Sequence, residues 1–330
     1  MILRGISFWG IFLMLFVSLF SGGLLAQDKR YTFEKGLMGS PFRLIIYASG
    51  DSIANLAAQS AFKRIEELNA SLSDYRDDSE INSVSARSGS GKWIDVSKDL
   101  FDILYIADDI SRKTNGAFDA TLGPIVQEWR RATRKGYLPD RKTIRLALAK
   151  TGYRKIRFDG PGQKILLKKK GMRLDIGGLG KGYAADEAVK ILKTFGIKSA
   201  MIDAGGKLAI MDPPPGEKGW KVTVSTGSDS IKTIEYANVG IATSGPTYRY
   251  LEYNGKRYSH IVDPKTGIGL QFHLRTTVIS PNATEADALA TAFSVSGIDE
   301  GKKYIKRFPD NKVWLVEMKG EHIKEWNTIN

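Results

Sequence analysis

The sequence predicts an α+β fold built on largely antiparallel sheets with helices packed against them. Three observations carry this. Extended and helical segments are mixed along the chain instead of alternating as strict strand–helix–strand units. Several extended pairs flank short turn signals such as Asn254-Gly255, the mark of an antiparallel hairpin. Between them run amphipathic stretches with apolar residues three and four apart, as at Ala57, Ala61, Ile65 and Leu68.

The elements follow in order. Residues 31–48 form a strand or hairpin broken by Gly36, Gly39 and Pro41, with Met38 as a core thioether. A helix covers 53–68 and ends at Asn69. Residues 72–82 are too polar for core. Ser79-Glu80 starts a short helical turn there, and Tyr75 either anchors the loop or stacks on a flat ligand. Ser97 caps a helix that Gly116 closes. The turn A-F-D-A-T-L-G-P at 117–124 follows, with Asp119 as a cap for the segment carrying Val126 and Trp129. A basic stretch, Arg130, Arg131, Arg134 and Lys135, leads to a helix at 143–150. Strands pair at 153–158 and 164–167, and the extended run continues to Leu174. Later strands fall at 199–203, 208–211, 221–225, 239–246 and 276–280, with hairpins at 248–253/256–262 and 313–317/322–326. The last helix covers 284–293.

The chain has 330 residues, 42% hydrophobic and 26% charged, which implies a folded core in one large domain or two modest ones. Net charge is +13, spread along the chain without a nucleic-acid motif, so an anionic small ligand is the better-matched partner. There are no cysteines, which excludes disulfides, thiolate metal sites and a lipidated N-terminal cysteine. Only three histidines occur, which argues against a histidine-rich zinc site. After Arg4, an uncharged run over residues 5–26 precedes Gln27-Asp28-Lys29-Arg30. It reads as an export signal cut after Ala26, leaving 27–330 as the functional domain. Leu24 is a poor fit to such a cleavage site, and the run is long enough to remain as a membrane anchor. Either way the body is exported.

Residues 173–192, R-L-D-I-G-G-L-G-K-G-Y-A-A-D-E-A-V-K-I-L, place Asp175 and Lys181 in a turn of four glycines before a helix. Strand, glycine turn and helix let backbone groups approach an anionic ligand, or simply pack closely. Neither a Walker A loop nor a G-x-G-x-x-G fingerprint is matched. Thr243, Ser244 and Gly245 offer hydroxyl and N–H groups to a phosphate, or form an ordinary turn. Asp287 and Thr291 are four apart and stack a carboxylate and a hydroxyl on one helix face. Both are hard donors of the kind Mg²⁺ takes. Alternatively, Thr284 and Asp287 form a capping box and Thr291 bonds the carbonyl one turn back. His260 precedes D-P-K-T-G and is by default a packing residue in a structural turn.

Seven blocks in order, L-S-D-Y-R-D-D-S-E-I-N, A-F-D-A-T-L-G-P, L-D-I-G-G-L-G-K-G-Y-A-A-D, I-D-A-G-G, I-A-T-S-G, Y-S-H-I-V-D-P-K-T-G and A-D-A-L-A-T-A, resemble the ApbE family. The resemblance spans residues 31–326 and implies an ApbE-type, T-fold-like α+β fold around a central FAD cleft. It implies an enzyme that binds FAD and Mg²⁺, moves FMN to a threonine of an acceptor protein, and releases AMP. Acceptors of such enzymes are flavoprotein subunits of exported or membrane electron-transfer complexes, such as Na⁺-translocating NADH:quinone reductase, in the periplasm. By motif, Met38, Tyr75, Ala117, Phe118, Asp119, Asp175, Lys181 and His260 line the FAD site. Gly178, through its carbonyl, joins Asp287 and Thr291 as Mg²⁺ ligands. His260 and Asp287 compete as acceptor of the hydroxyl proton. An FAD pyrophosphatase is the rival within the family, and an exported FAD carrier without turnover the rival outside it.

Overall fold

A strand buried on both faces needs apolar residues at consecutive positions, and Leu44-Ile45-Ile46 and Val313-Trp314-Leu315-Val316 are such runs. Both lie in the main sheet. The computed structural model describes residues 28–225, 231–245, 250–271, 273–319 and 322–329. The export segment expected over 1–26, residues 246–249 and Gly320 lie outside the described residues.

The chain opens with β1 (Lys29–Leu37) and β2 (Ser40–Ala48), then α1 (Asp51–Leu72), α2 (Glu80–Ala86), β3 (Ile94–Asp95), α3 (Lys98–Lys113), α4 (Gly123–Lys135) and α5 (Arg141–Leu148). Next come β4 (Ile156–Asp159), β5 (Lys164–Leu167), α6 (Gly180–Thr194), β6 (Ala200–Ala204), β7 (Lys207–Ile210), β8 (Trp220–Ser225), β9 (Ile231–Tyr236) and β10 (Val239–Ser244). The hairpin β11 (Tyr250–Tyr253) and β12 (Lys256–Ser259) precedes β13 (His273–Ser280), α7 (Ala283–Tyr304), β14 (Lys312–Lys319) and β15 (His322–Asn327).

Eight strands form one antiparallel sheet in the order β1-β2-β6-β7-β10-β13-β14-β15. Side chains alternate across it. Leu44, Ile46, Ala242, Val278, Val313 and Leu315 face a core shared with α1, α3, α6 and α7. Ile45, Ile241, Ile279, Trp314 and Val316 face the other way, onto Trp220, Val224 and Ile234 of the β8–β9 ribbon. The result is helices, sheet and ribbon in layers, the mixed α+β architecture expected. A smaller apolar cluster joins α4 and α5 to the β11–β12 hairpin through Ile125, Trp129, Ile144, Leu251 and Tyr258.

Local chemistry explains most boundaries. Ser79 and Ser97 accept from the backbone N–H groups of Asn82 and Leu100, capping α2 and α3 as expected. Asn254 and Gly255 both adopt left-handed backbone, the type I′ geometry of a two-residue hairpin. Several expectations need correction. α1 runs on to Leu72, because Leu72 continues the buried stripe of Ile65 and Leu68. The extended run thought to reach Leu174 stops at Leu167. Beyond it the chain turns at Gly171, and the Leu174 N–H donates to Ser85 Oγ instead of to a strand. Strand β9 was not anticipated: only Ile234 of its six residues is buried, so little apolar pattern marks it. Asp119 does not cap α4, whose capping position is Leu122 with Pro124 in the first turn.

The decisive packing is between α6 and α7. Asp186 of α6 accepts from the N–H groups of Ala283 and Thr284 at 3.0 and 2.8 Å and from the Thr284 hydroxyl at 2.5 Å. In return, Asp287 of α7 accepts from the Gly182 N–H at 3.2 Å. The helices meet so closely that a Cβ on Gly182 would stand 2.2 Å from the Ala283 carbonyl oxygen. Gly182→Ala is therefore expected to lower stability by about 1–3 kcal/mol, as a fall in the urea unfolding midpoint. An unchanged midpoint would contradict this contact.

Candidate functional site

The glycine turn before α6 lies alongside the turn before α4. Asp175 N–H donates to the Ala120 carbonyl at 2.8 Å, and Arg173 bridges to Leu122. This brings Gly178 against Phe118, where an added Cβ would be 3.0 Å from Phe118 Cε2 and 3.1 Å from Thr291 Oγ1. A side chain at Gly178 would require Phe118 and Thr291 to shift by a few tenths of an ångström. Thr291 Oγ1 is within donating range of two carbonyls, Asp287 at 3.2 Å and Gly178 at 3.4 Å. The bond to the carbonyl one turn back is thus made, and the Gly178 carbonyl is brought beside the same hydroxyl.

Asp287 is 2% exposed. The helix cap it was a candidate for is made elsewhere, by Asn282 accepting from Glu285 N–H, so Asp287 is not used in capping α7. Its Oδ1 stands 3.8 Å from Lys207 Nζ, which also donates to the Thr243 carbonyl at 2.6 Å. Burial pushes the Asp287 carboxyl above its usual range, while Lys207 and Lys181 pull it back down. Gly178 carbonyl, Thr291 hydroxyl and Asp287 carboxylate form a set of hard oxygen donors, which suits Mg²⁺ and not a soft metal. Among the described residues no group of three His, Cys, Asp or Glu could hold a metal, so a site here needs backbone and hydroxyl oxygens.

A second cluster lies at Asp175. Its Oδ1 accepts from Gly177 N–H at 2.8 Å and its Oδ2 from Arg130 at 3.1 Å. Arg130 also pairs with Asp74. Burial and the nearby Asp74 push Asp175 upward, against the pull of Arg130. The guanidinium carbon of Arg130 sits 4.1 Å from the ring centroid of Tyr75, which is 69% exposed.

The other expected residues are placed as follows. Met38 occupies the β1–β2 turn with φ of 50°, a left-handed conformation unusual for methionine, and its Cε would lie 3.9 Å from a Cβ on Gly180. It is half-buried near the start of α6 and packs against the main core from its edge. Ala117 and Phe118 are buried in the adjacent turn. Asp119 is buried too, and its carboxylate accepts from Thr121 N–H, Thr121 hydroxyl and Tyr153 N–H. Any ligand contact from this position would therefore use backbone. His260 is exposed just past β12, on the hairpin whose Tyr258 packs on Trp129 of α4. Lys181 opens α6, close enough to act on the Asp287 charge.

The ApbE family model matches residues 38–315. The chain belongs to the ApbE family. The match begins at the strained Met38 and encloses every site residue described above. A Salmonella typhimurium protein named FAD:protein FMN transferase is 32% identical over 91% of this chain and 88% of its own length. A Treponema pallidum protein of the same name is 27% identical over the same shares. The apo crystal structure of the Pseudomonas stutzeri flavinyl transferase ApbE superposes with TM-score 0.81 at 27% identity, covering 92% of this chain and 95% of that one. The ApbE protein of Thermotoga maritima gives 0.80 at 27% identity, over 90% and 96%.

Two residues of these clusters are not marked by the sequence. Lys207 opens β7 directly after Gly205-Gly206, and Arg130 is one member of a basic stretch. The folded helix turns Arg130 toward Asp175, to which it donates at 3.1 Å.

A carboxylate raised by burial favours the fold below its ordinary pKa and loses that contribution as pH climbs through the raised value. Metal-free protein should therefore lose stability as pH rises above the ordinary carboxylate range, and Asp287→Asn should shrink that loss. Urea titrations at a series of pH values check it; an equal loss in the variant would count against a buried, raised Asp287.

Proposed function

We propose that this protein is an FAD:protein FMN transferase that uses Mg²⁺, FAD as donor and a threonine hydroxyl of an acceptor protein. The observation that carries the reading is the convergence of Gly178 carbonyl, Thr291 hydroxyl and buried Asp287 beside Lys207. The names of the relatives support the same donor and reaction.

Asp287, Thr291 and the Gly178 carbonyl would hold Mg²⁺, which supplies charge neutralisation on the pyrophosphate and polarises the phosphorus under attack. Lys207 and Lys181 add cationic charge against phosphate oxygens. Met38, Tyr75, Asp175 and the backbone of 117–119 line the FAD site. The acceptor hydroxyl oxygen bonds to the FMN phosphorus, the phosphoanhydride bond breaks, and AMP leaves with that bond's electron pair. The hydroxyl proton goes to His260, exposed where a protein substrate can reach it, or to Asp287. Retaining Asp287 as a metal ligand favours His260. We place the reaction in the periplasm, from the export-signal pattern of residues 1–26, with acceptors in exported or membrane electron-transfer complexes. Among the described residues no helix is long and apolar enough to cross a membrane.

The test is to incubate the protein with FAD, Mg²⁺ and a threonine-bearing acceptor domain, and to follow covalent flavin fluorescence and AMP. Both should appear. AMP without a labelled band would identify a pyrophosphatase, and neither product would refute the enzyme reading. Asp287→Ala should reduce AMP release by at least about a hundredfold; a rate within a few-fold of the parent would remove Asp287 from the metal site.

A further inference from the structure

Arg130 joins three groups from two stretches far apart in the chain: Asp74 and Tyr75 in the loop before α2, and Asp175 in the glycine turn. Two carboxylates share one guanidinium that is 27% exposed, with Asp74 and Asp175 side chains at 10% and 9%. The guanidinium is thereby held on both sides. Its planar fork is suited to such double pairing in a way an ammonium is not. The guanidinium carbon also lies over one face of the Tyr75 ring, 4.1 Å from its centroid, although the residue as a whole is 69% exposed. A loop tyrosine with neither face supported would sample several orientations. Here one face is taken, and the exposed remainder is left to receive a flat ring.

We propose that Arg130 is a positioning residue for the dinucleotide: it backs Tyr75, so that the ring stacks on the ligand from its open face, and it ties the Tyr75 loop to the Asp175 turn. This rests on the FAD reading above. Arg130 itself acts through Tyr75 and Asp175, and the consequence is affinity for FAD more than the rate of phosphoryl transfer.

Equilibrium FAD binding, followed by flavin fluorescence, tests this in the parent, Arg130→Met, Tyr75→Ala and the double variant. Each single change should weaken FAD binding about tenfold, and the double variant should be about as weak as the weaker single one. Arg130→Lys, which keeps the charge but loses the fork, should also bind several-fold more weakly. AMP release at saturating FAD should fall by less than affinity does. A merely structural Arg130 would lower the unfolding midpoint and leave its effect additive with Tyr75→Ala. Additive losses, or parental affinity in Arg130→Met, would overturn the proposal. If Arg130→Met fails to fold because Asp74 is left unpaired, Asp74→Asn/Arg130→Met relieves that charge, and the same non-additivity with Tyr75→Ala is required of it. If the parent does not bind FAD, the FAD reading falls and this inference with it. If the parent binds and Arg130→Met binds equally, only this inference falls.

Discussion

The exchange of carboxylates between α6 and α7 is the constraint on which the site depends. Asp186 satisfies N–H groups at the start of α7, and Asp287 takes an N–H at the start of α6. Hydrogen bonds to an ionised carboxylate contribute about 1.5–3 kcal/mol each, against the cost of burying the charge, which also pushes Asp186 above its usual range. Each helix thus uses a side chain of the other to complete its first turn. Their relative position cannot slide without losing several such bonds together. Because Gly178 sits just before α6 and Thr291 one turn after Asp287, that fixed position also sets the spacing of the three oxygen donors.

The sheet delivers the rest to the same place. The β1–β2 turn brings Met38 to the start of α6, and β7 brings Lys207 to Asp287. Lys207 is anchored by the Thr243 carbonyl of β10, whose hydroxyl lies 3.0 Å from that of Thr277 on β13. Neighbouring strands therefore hold the lysine as the helices hold the carboxylate. The left-handed Met38 fits the same logic: an unfavourable backbone conformation is kept where neighbouring elements determine it.

Much of this was legible because local chemistry is local in sequence. Ser97 and Ser79 announce their helices, Asn254-Gly255 its hairpin, and spacing alone put Asp287 and Thr291 on one face. The type of fold followed from hairpins mixed with amphipathic runs. What the sequence concealed are the partnerships across it. The cap of α7 comes from Asp186 and Asn282, not from the Thr284 and Asp287 that matched a capping box. Asp119 holds Tyr153 and Thr121 rather than α4. Arg130 resembles its solvated neighbours until the packing of α4 is known. β9, with one buried residue in six, carries almost no periodic signal.

The meeting of two helix N-termini has a further electrostatic consequence. Each N-terminus carries roughly half a positive charge from its aligned peptide dipoles. At α6 and α7 these ends converge beside Asp287, so the backbone offsets part of the cost of burying the Asp186 and Asp287 carboxylates that accept from it. That part does not titrate and does not disappear when a lysine is neutralised. Buried groups are also screened less by salt than surface ones. The buried Asp287 carboxylate sits in a field whose persistent component comes from the geometry of the two helices, with Lys207 and Lys181 adding a component that substitution can remove.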